Sequence, residues 1–340
     1  MNHRKNKNNT PNFTKVIPAL LLFVILMAGG LFAFHQLDQK SPSPAAESTE
    51  ESDYVEINGV KCRPKSNLET YLFLGTDIQG KFSDYQGYQM DQSQGQSDMI
   101  ELLVIDKTKD TYATLIINRN TITDMDIYDE KTLEKTGEFY GQICLAYAFG
   151  CDGKEKSCDN TAKAVSQLLY GQKIDGCLAL GLDSIEGINH QLGGVTVTIE
   201  DDFTQSDPSL LLGQTVHLTD QQAMHFCHDR MNVADGTVEN RIKRQKAYMS
   251  AAKDIIMEKC KEDETFVLDL YDSLGDYMYT NIRKNQISKI AKAVLKNEDL
   301  GEFEIEGENE YNEETEYVEF YPDEDHLAET VIRLFYEVDN

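Results

Sequence analysis

The sequence predicts an α/β fold, a central mixed β-sheet flanked by helices, preceded by one N-terminal transmembrane helix. Three observations predict it. The runs Tyr71–Leu74, Met99–Asp106 and Tyr112–Ile117 are short, rich in β-branched and aromatic residues and bounded by Gly, Asp or Asn, which marks buried strands. From Cys177 to Ile199 a strand, a short helix and a second strand alternate, as in layered sheets. Val16–Phe34 is almost wholly apolar and long enough to cross a bilayer as a helix.

Arg4, Lys5, Lys7 and Lys15 precede that span without an acidic residue, so the positive-inside bias keeps residues 1–15 in the cytoplasm and exports the rest. Gly29–Ala33 is a poor cleavage site, so residues 16–34 are read as an uncleaved signal anchor. The expected location is the cell membrane, single-pass, with the C-terminal domain extracellular. Residues 35–53 form a linker; from Asp38 it is Ser, Pro, Glu and Ala without apolar periodicity, a disordered tether. Residues 54–340 hold the folded domain, with the motifs in 70–262 and an α/β completion over 263–340.

Beyond the four basic residues before the span, the chain carries 28 basic against 59 acidic side chains. Such a surface repels nucleic acid, whose binding needs a basic footprint, and this excludes a DNA-binding regulator. All seven cysteines lie on the outer side, where disulfides form. Cys151 and Cys158 flank a polar loop and are the expected pair, while the odd count leaves the remaining connectivity open.

The first strand ends in Gly75-Thr76-Asp77, the second begins behind Ser97-Asp98, and the third delivers Asn118-Arg119-Asn120. Lys107–Asp110 joins the second and third as a hairpin turn. If the strands are neighbours, Asp77, Asp98 and Arg119 meet at one sheet edge. Two carboxylates suit a magnesium ion, and a guanidinium is the planar donor for phosphate. The alternative is turn aspartates and a surface arginine.

Residues 142–171 are helical on either side of the cysteine loop and stop at Gly171. Cys177–Leu182 is a strand, Asp183 caps a helix to Leu192, and Gly193-Gly194 turns into Val195–Ile199. A capped helix runs from Thr219 to His228-Asp229-Arg230, and a long helix from about Glu239 to Glu262. On the long helix Arg241, Arg244, Gln245 and Tyr248 share one face, a pyrophosphate clamp helped by the helix dipole; Ile242, Met249 and Ala252 share the side expected to pack on the sheet. An exposed basic face with Lys243 and Lys246 is the alternative. The tail adds helices at Asn285–Lys296 and Glu324–Tyr336 with an acidic strand-like stretch, Tyr311–Tyr321, between them.

The order of these motifs resembles the LytR-CpsA-Psr family of bacterial envelope proteins: a signal anchor, Leu74-Gly75-Thr76-Asp77, Ser97-Asp98, Arg119, Gln191–Val195, Gly213–Ala223, Asp229-Arg230 and Arg241–Gln245, with Tyr279–Ile282 as a further recurrent segment. The resemblance covers about Val55 to the C-terminus. It implies an LCP-like α/β/α fold in a membrane-anchored transferase of the Gram-positive cell wall. Such an enzyme moves a phosphate-linked glycopolymer, of teichoic acid or polysaccharide type, from a polyprenyl pyrophosphate carrier to peptidoglycan. Carried across, Asp77 and Asp98 hold Mg2+ and Arg119, Arg230, Arg241 and Gln245 hold the pyrophosphate, with Arg244 on the same clamp face. The lipid tail lies between sheet and helices, with Leu145, Tyr147 and Phe149 as candidate lining.

The chain departs from the family pattern at four positions. Gln96 stands where an arginine is usual, Asn120 and Val238 where aspartates are, and His228 where an arginine is; Asp235 is near enough to stand in for the aspartate missing at Val238. A weakened, precursor-binding envelope protein is therefore the alternative function.

Overall fold

The computed structural model describes residues 54–85, 87, 95–263 and 266–338. The expected cytoplasmic tail, membrane span and linker lie outside the described residues, among which no helix is long and apolar enough to cross a membrane.

Strands β1 (Val55–Ile57) and β2 (Val60–Pro64) lead into β3 (Leu68–Thr76), β4 (Ser97–Asp106) and β5 (Thr111–Ile116). A ribbon of β6 (Ile122–Tyr128) and β7 (Lys135–Gln142) precedes helices α1 (Leu145–Phe149) and α2 (Glu155–Leu168). Then come β8 (Gly176–Leu180), α3 (Ser184–Leu192), a ribbon of β9 (Thr196–Thr198) and β10 (Thr215–His217), α4 (Asp220–His228) and α5 (Val238–Glu262). The chain closes through α6 (Phe266–Ser273), β11 (Met278–Thr280), α7 (Lys284–Lys296), β12 (Glu298–Glu304), a hairpin of β13 (Gly307–Asn312) and β14 (Tyr317–Pro322), α8 (Glu324–Phe335) and β15 (Tyr336–Val338).

Six strands form the central sheet in the order β11-β8-β3-β4-β5-β12, and it is mixed: β3 pairs antiparallel with β4 but parallel with β8, and β5 antiparallel with β4 but parallel with β12. Period-two alternation sends the side chains of one strand into two cores. Tyr71 and Phe73 join Leu103, Ile105, Phe226, Tyr248 and Ile290 on the face covered by α3–α7. Leu72 and Leu74 join Leu102, Val104, Val165 and Val331 on the face covered by α1, α2 and α8. Each such side chain, fully buried, contributes about 1.5–3 kcal/mol of apolar burial.

Local chemistry sets the helix ends. Thr219 and Gln222 form a reciprocal capping box on α4, and Gly193, at φ 79°, terminates α3 in the left-handed conformation that glycine adopts without strain. Asp183 occupies the cap position of α3, but its carboxylate instead accepts the Gly80 N–H at 2.9 Å. β12 escapes the periodicity because it is an acidic edge strand whose exposed and half-buried residues do not alternate. All seven cysteines are free. The expected Cys151–Cys158 bridge does not form, since the Cys151 thiol turns to the carbonyls of Tyr128 and Phe149 while Cys158 is buried against Cys177 on the sheet side of α2.

Candidate active site

The strand ends meet. β3 and β4 are neighbours, and between Gly75↔Met99 and Thr76↔Ser97 the register skips Asp98. The skipped residue is a β-bulge, which re-aims a side chain that strict alternation would send to the other face. Asp98 thereby turns to the end of the sheet that Asp77 leaves. Asp77 Oδ1 accepts the N–H groups of Gly95 and Gln96 at 2.6 and 2.8 Å. Gly95 has φ 92°, and a Cβ there would stand 2.1 Å from the Tyr85 hydroxyl, so the turn that supplies this donor requires glycine.

Arg119 reaches the same place from the loop after β5. Its Nε lies 3.0 Å from Asp98 Oδ1, and its Nη2 donates to Gln96 Oε1 at 2.6 Å and to Cys144 Sγ at 3.3 Å. Arg241, on the first turn of α5, brings Nη2 to 3.7 Å from Asp98 Oδ2. One carboxylate thus bridges two guanidiniums from opposite sides of the site. Neither arginine is saturated: Arg119 Nε is ion-paired with Asp98 without hydrogen-bond alignment, and Arg241 Nε is buried with no hydrogen-bond partner among the described residues. Buried donors without partners are costly, and an arriving anion would satisfy them.

The electrostatics point the same way. Burial, opposed by Asp98 and reinforced by the charges of Arg230 and Arg119, lowers the proton affinity of Arg241. Burial and the Asp98 carboxylate push Asp77 up to about 6. A buried carboxylate beside a second one, facing open space, fits a divalent cation, since Mg2+ takes one or two protein carboxylates and leaves other positions to water and phosphate. Among the described residues no cluster of three or more metal-ligating side chains exists, so such an ion would depend on substrate oxygens.

Behind the charged mouth lies a cavity of about 310 Å³, mainly apolar. Asp77, Asp98, Arg241 and Gln245 line it with Met99, Leu180, Leu182, Ile185, Ile188, Tyr248 and Met249. Gln245 is fixed by donating Nε2 to the Cys227 carbonyl at 3.1 Å. His228, also in the lining, pairs with Asp229 at 3.5 Å.

Several expected site residues lie elsewhere. Arg244 is 4 % exposed and points to the far side of α5, where it donates to Asp201 at 2.6 Å, to the Phe226 carbonyl at 2.8 Å and to the Asp229 carbonyl. Three residues along a helix is a 60° offset from a full turn, enough to separate Arg244 from the Arg241–Gln245 edge. Met249, expected on the sheet side, packs against the core there and also lines the cavity one turn beyond Gln245. The side chains of Val238 and Ile242 fall outside the described set. Asp235 is exposed and accepts from Thr237 and Asn240, organising the start of α5 rather than entering the site. Arg230 is half-buried against Met231 and close enough to Arg241 for their charges to interact. Leu145, Tyr147 and Phe149 pack in the core on the opposite face of the sheet, so they cannot line the cavity.

Sequence reading missed Ile185 and Ile188, whose i, i+3 spacing on α3 carried the signal. It also missed Cys144, which nothing in the sequence ties to Arg119. Cys144 N–H donates to the Arg119 carbonyl at 3.1 Å, and its own carbonyl accepts from Ser97 N–H at 3.0 Å, clamping two site segments together.

The LytR_cpsA_psr family model matches residues 31–334. The chain is 23% identical over 290 residues to the polyisoprenyl-teichoic acid–peptidoglycan teichoic acid transferase TagT of Bacillus subtilis (strain 168), across 83% of this chain and 80% of that protein. Its fold resembles gbs0355 of Streptococcus agalactiae, with TM-score 0.57 and 17% identity over 78% of this chain and 87% of that one. It also resembles TagT solved bound to LI-WTA, with TM-score 0.53 and 20% identity over 79% and 90%.

Proposed function

The chain belongs to the LytR_cpsA_psr family, and from that premise we propose that it transfers a phosphate-linked glycopolymer from a polyprenyl pyrophosphate carrier to peptidoglycan. The relative named for teichoic acid transfer and the neighbour bound to LI-WTA support this reading. The single observation that carries it is the pair of guanidiniums, Arg119 and Arg241, that meet on Asp98, where Asp98 and Arg241 line a mainly apolar cavity. A pyrophosphate with a lipid tail is the ligand that satisfies both halves. The location proposed for this chemistry is the outer face of the cell membrane, beyond an anchor at residues 16–34.

In this mechanism Arg119, Arg241 and Arg230 neutralise and orient the pyrophosphate, and Gln245 donates to it from the cavity wall. Asp77 and Asp98 would hold Mg2+, which supplies stabilisation of the charge developing on the phosphoryl oxygens. The isoprenoid lies along Ile185, Ile188, Leu182 and Met249, so burial of the tail fixes the headgroup at the arginines. A hydroxyl of the acceptor attacks the phosphorus bonded to the glycan, the pyrophosphate bridge breaks, and polyprenyl monophosphate leaves while the hydroxyl proton passes to water. Fixed donors aimed at the developing charge do most of this work, because they need no reorganisation during reaction.

A second reading, precursor binding without turnover, is favoured by one observation: the Gln96 carbonyl occupies an Arg119 donor that a phosphate would otherwise use. One experiment separates the two. Full-length chain in detergent is incubated with Mg2+, a polyprenyl pyrophosphate oligosaccharide and peptidoglycan, next to an active relative. Transfer is expected, and binding of the donor without any cleavage selects the second reading.

A further inference from the structure

The β13–β14 hairpin presents a tyrosine face that the transfer chemistry does not use. Cross-strand register puts Tyr317, Glu319 and Tyr321 of β14 on one side with Asn312, Glu310 and Glu308 of β13. Phe320 points the other way and is buried. Tyr317 is 63% exposed and Tyr321 38%. Between them the Glu319 carboxylate is held fast, accepting from the Tyr321 hydroxyl at 2.6 Å and from Asn312 Nδ2 at 2.8 Å. Tyr140, on the neighbouring β7, is also 63% exposed and near enough to Tyr321 to act on its phenol.

This face is fastened directly to the site. Phe320 N–H donates to the Asn120 carbonyl at 2.9 Å, and the Gln142 amide bridges Asn120 Oδ1 at 2.9 Å and the Val318 carbonyl at 2.8 Å. Asn120 follows Arg119, so the platform is hydrogen-bonded to the residue next to the site arginine. Its charge is of one sign: residues 307–322 contain Glu308, Glu310, Glu313, Glu314, Glu316 and Glu319 and no lysine or arginine.

We propose that the Tyr140–Tyr317–Tyr321 face, bolted through Asn120 to the Arg119 loop, is the docking surface for the acceptor, an uncharged N-acetylhexosamine glycan strand. Exposed aromatic rings stack on the C–H faces of sugar rings, and the pinned Glu319 carboxylate accepts from their hydroxyls. Six carboxylates without a cation repel a polyanionic phosphate polymer, so donor and acceptor are sorted by charge to the two sides of Arg119. The assignment of this glycan as acceptor rests on the transferase reading above; its binding to the face does not.

The test titrates full-length chain in detergent with a β-1,4-linked N-acetylglucosamine hexamer and, separately, with poly(glycerol phosphate), read by calorimetry. The hexamer is expected to bind, Tyr140→Ala with Tyr317→Ala to weaken it by about tenfold, and the double Phe variant to restore it. Both tyrosines are exposed, so folding is retained, and circular dichroism checks it. A hexamer that fails to bind, or that binds the double Ala variant unchanged, overturns the proposal, as does poly(glycerol phosphate) binding that the same substitutions abolish. Transfer to peptidoglycan by the double Ala variant is expected to fall in step with its hexamer affinity; absence of donor pyrophosphate cleavage in the wild type would count against the transferase reading and leave the platform to be judged on the hexamer.

Discussion

Gln96 Oε1 accepts a hydrogen bond from Arg119 Nη2 at 2.6 Å, so a neutral side chain is the acceptor that orients the site arginine. Gln96→Arg removes that acceptor, frees Nη2 and adds a second guanidinium. Affinity for a soluble pyrophosphate is expected to rise by about tenfold, the gain of one charge-assisted hydrogen bond. Calorimetry with both proteins at equal ionic strength decides it; unchanged or weaker binding means that Gln96 is not what limits the site.

Arg119→Lys keeps a positive charge but loses the fork that engages Asp98, Gln96 and Cys144 together. Transfer is expected to fall by about a hundredfold, in line with removal of one preorganised donor, with little loss of stability. A steady-state assay against the thermal melting curve of the variant checks both halves.

Arg244 and Arg241 should behave oppositely although three residues apart. Removing Arg244 strands the largely buried Asp201 carboxylate, so Arg244→Ala is expected to cost about 3 kcal/mol of stability in denaturant unfolding. Arg241→Ala leaves Asp98 its contact with Arg119 and should chiefly weaken pyrophosphate binding. Equal destabilisation by both would remove the distinction between the two faces of α5.

Mg2+ binding should weaken as pH falls through about 6. Asp77, raised to about 6 by burial and by Asp98, is protonated below that value, and the ion must displace the proton. The sign follows: affinity is full above the raised pKa and declines by about tenfold per unit below it. Mg2+ calorimetry at pH 5, 6 and 7.5 measures this, and Asp77→Asn should flatten the profile.

Ile185→Trp adds bulk to the apolar wall of the cavity. Binding of a polyprenyl phosphate should be lost while binding of inorganic pyrophosphate persists. Loss of both, measured by competition with a fluorescent isoprenoid phosphate, would mean that headgroup and tail sites are not separable.

Much of the fold was legible in the chain. The alternation of Tyr71 and Phe73 with Leu72 and Leu74 announced a strand buried on both faces, and the two faces do enter different cores. Thr219 and Gly193 announced helix ends that formed as expected, whereas the expected Asp183 cap was drawn off to the Gly80 N–H by a partner distant in the chain. The spacing of Arg241 and Gln245 likewise placed them on one edge of α5.

What the sequence determined by itself was therefore whatever depends on near neighbours: strand and helix identities, turns, caps, and the residue types available at strand ends. Tertiary structure alone decided that Asp98 sits in a bulge between two arginines, that Arg244 turns to Asp201, that Cys151 and Cys158 stay apart, and that acidic β12 completes the sheet. Those outcomes depend on partners tens to hundreds of residues away, whose positions local periodicity does not encode. A side chain's neighbours across a sheet or between helices exist only once the layers have packed.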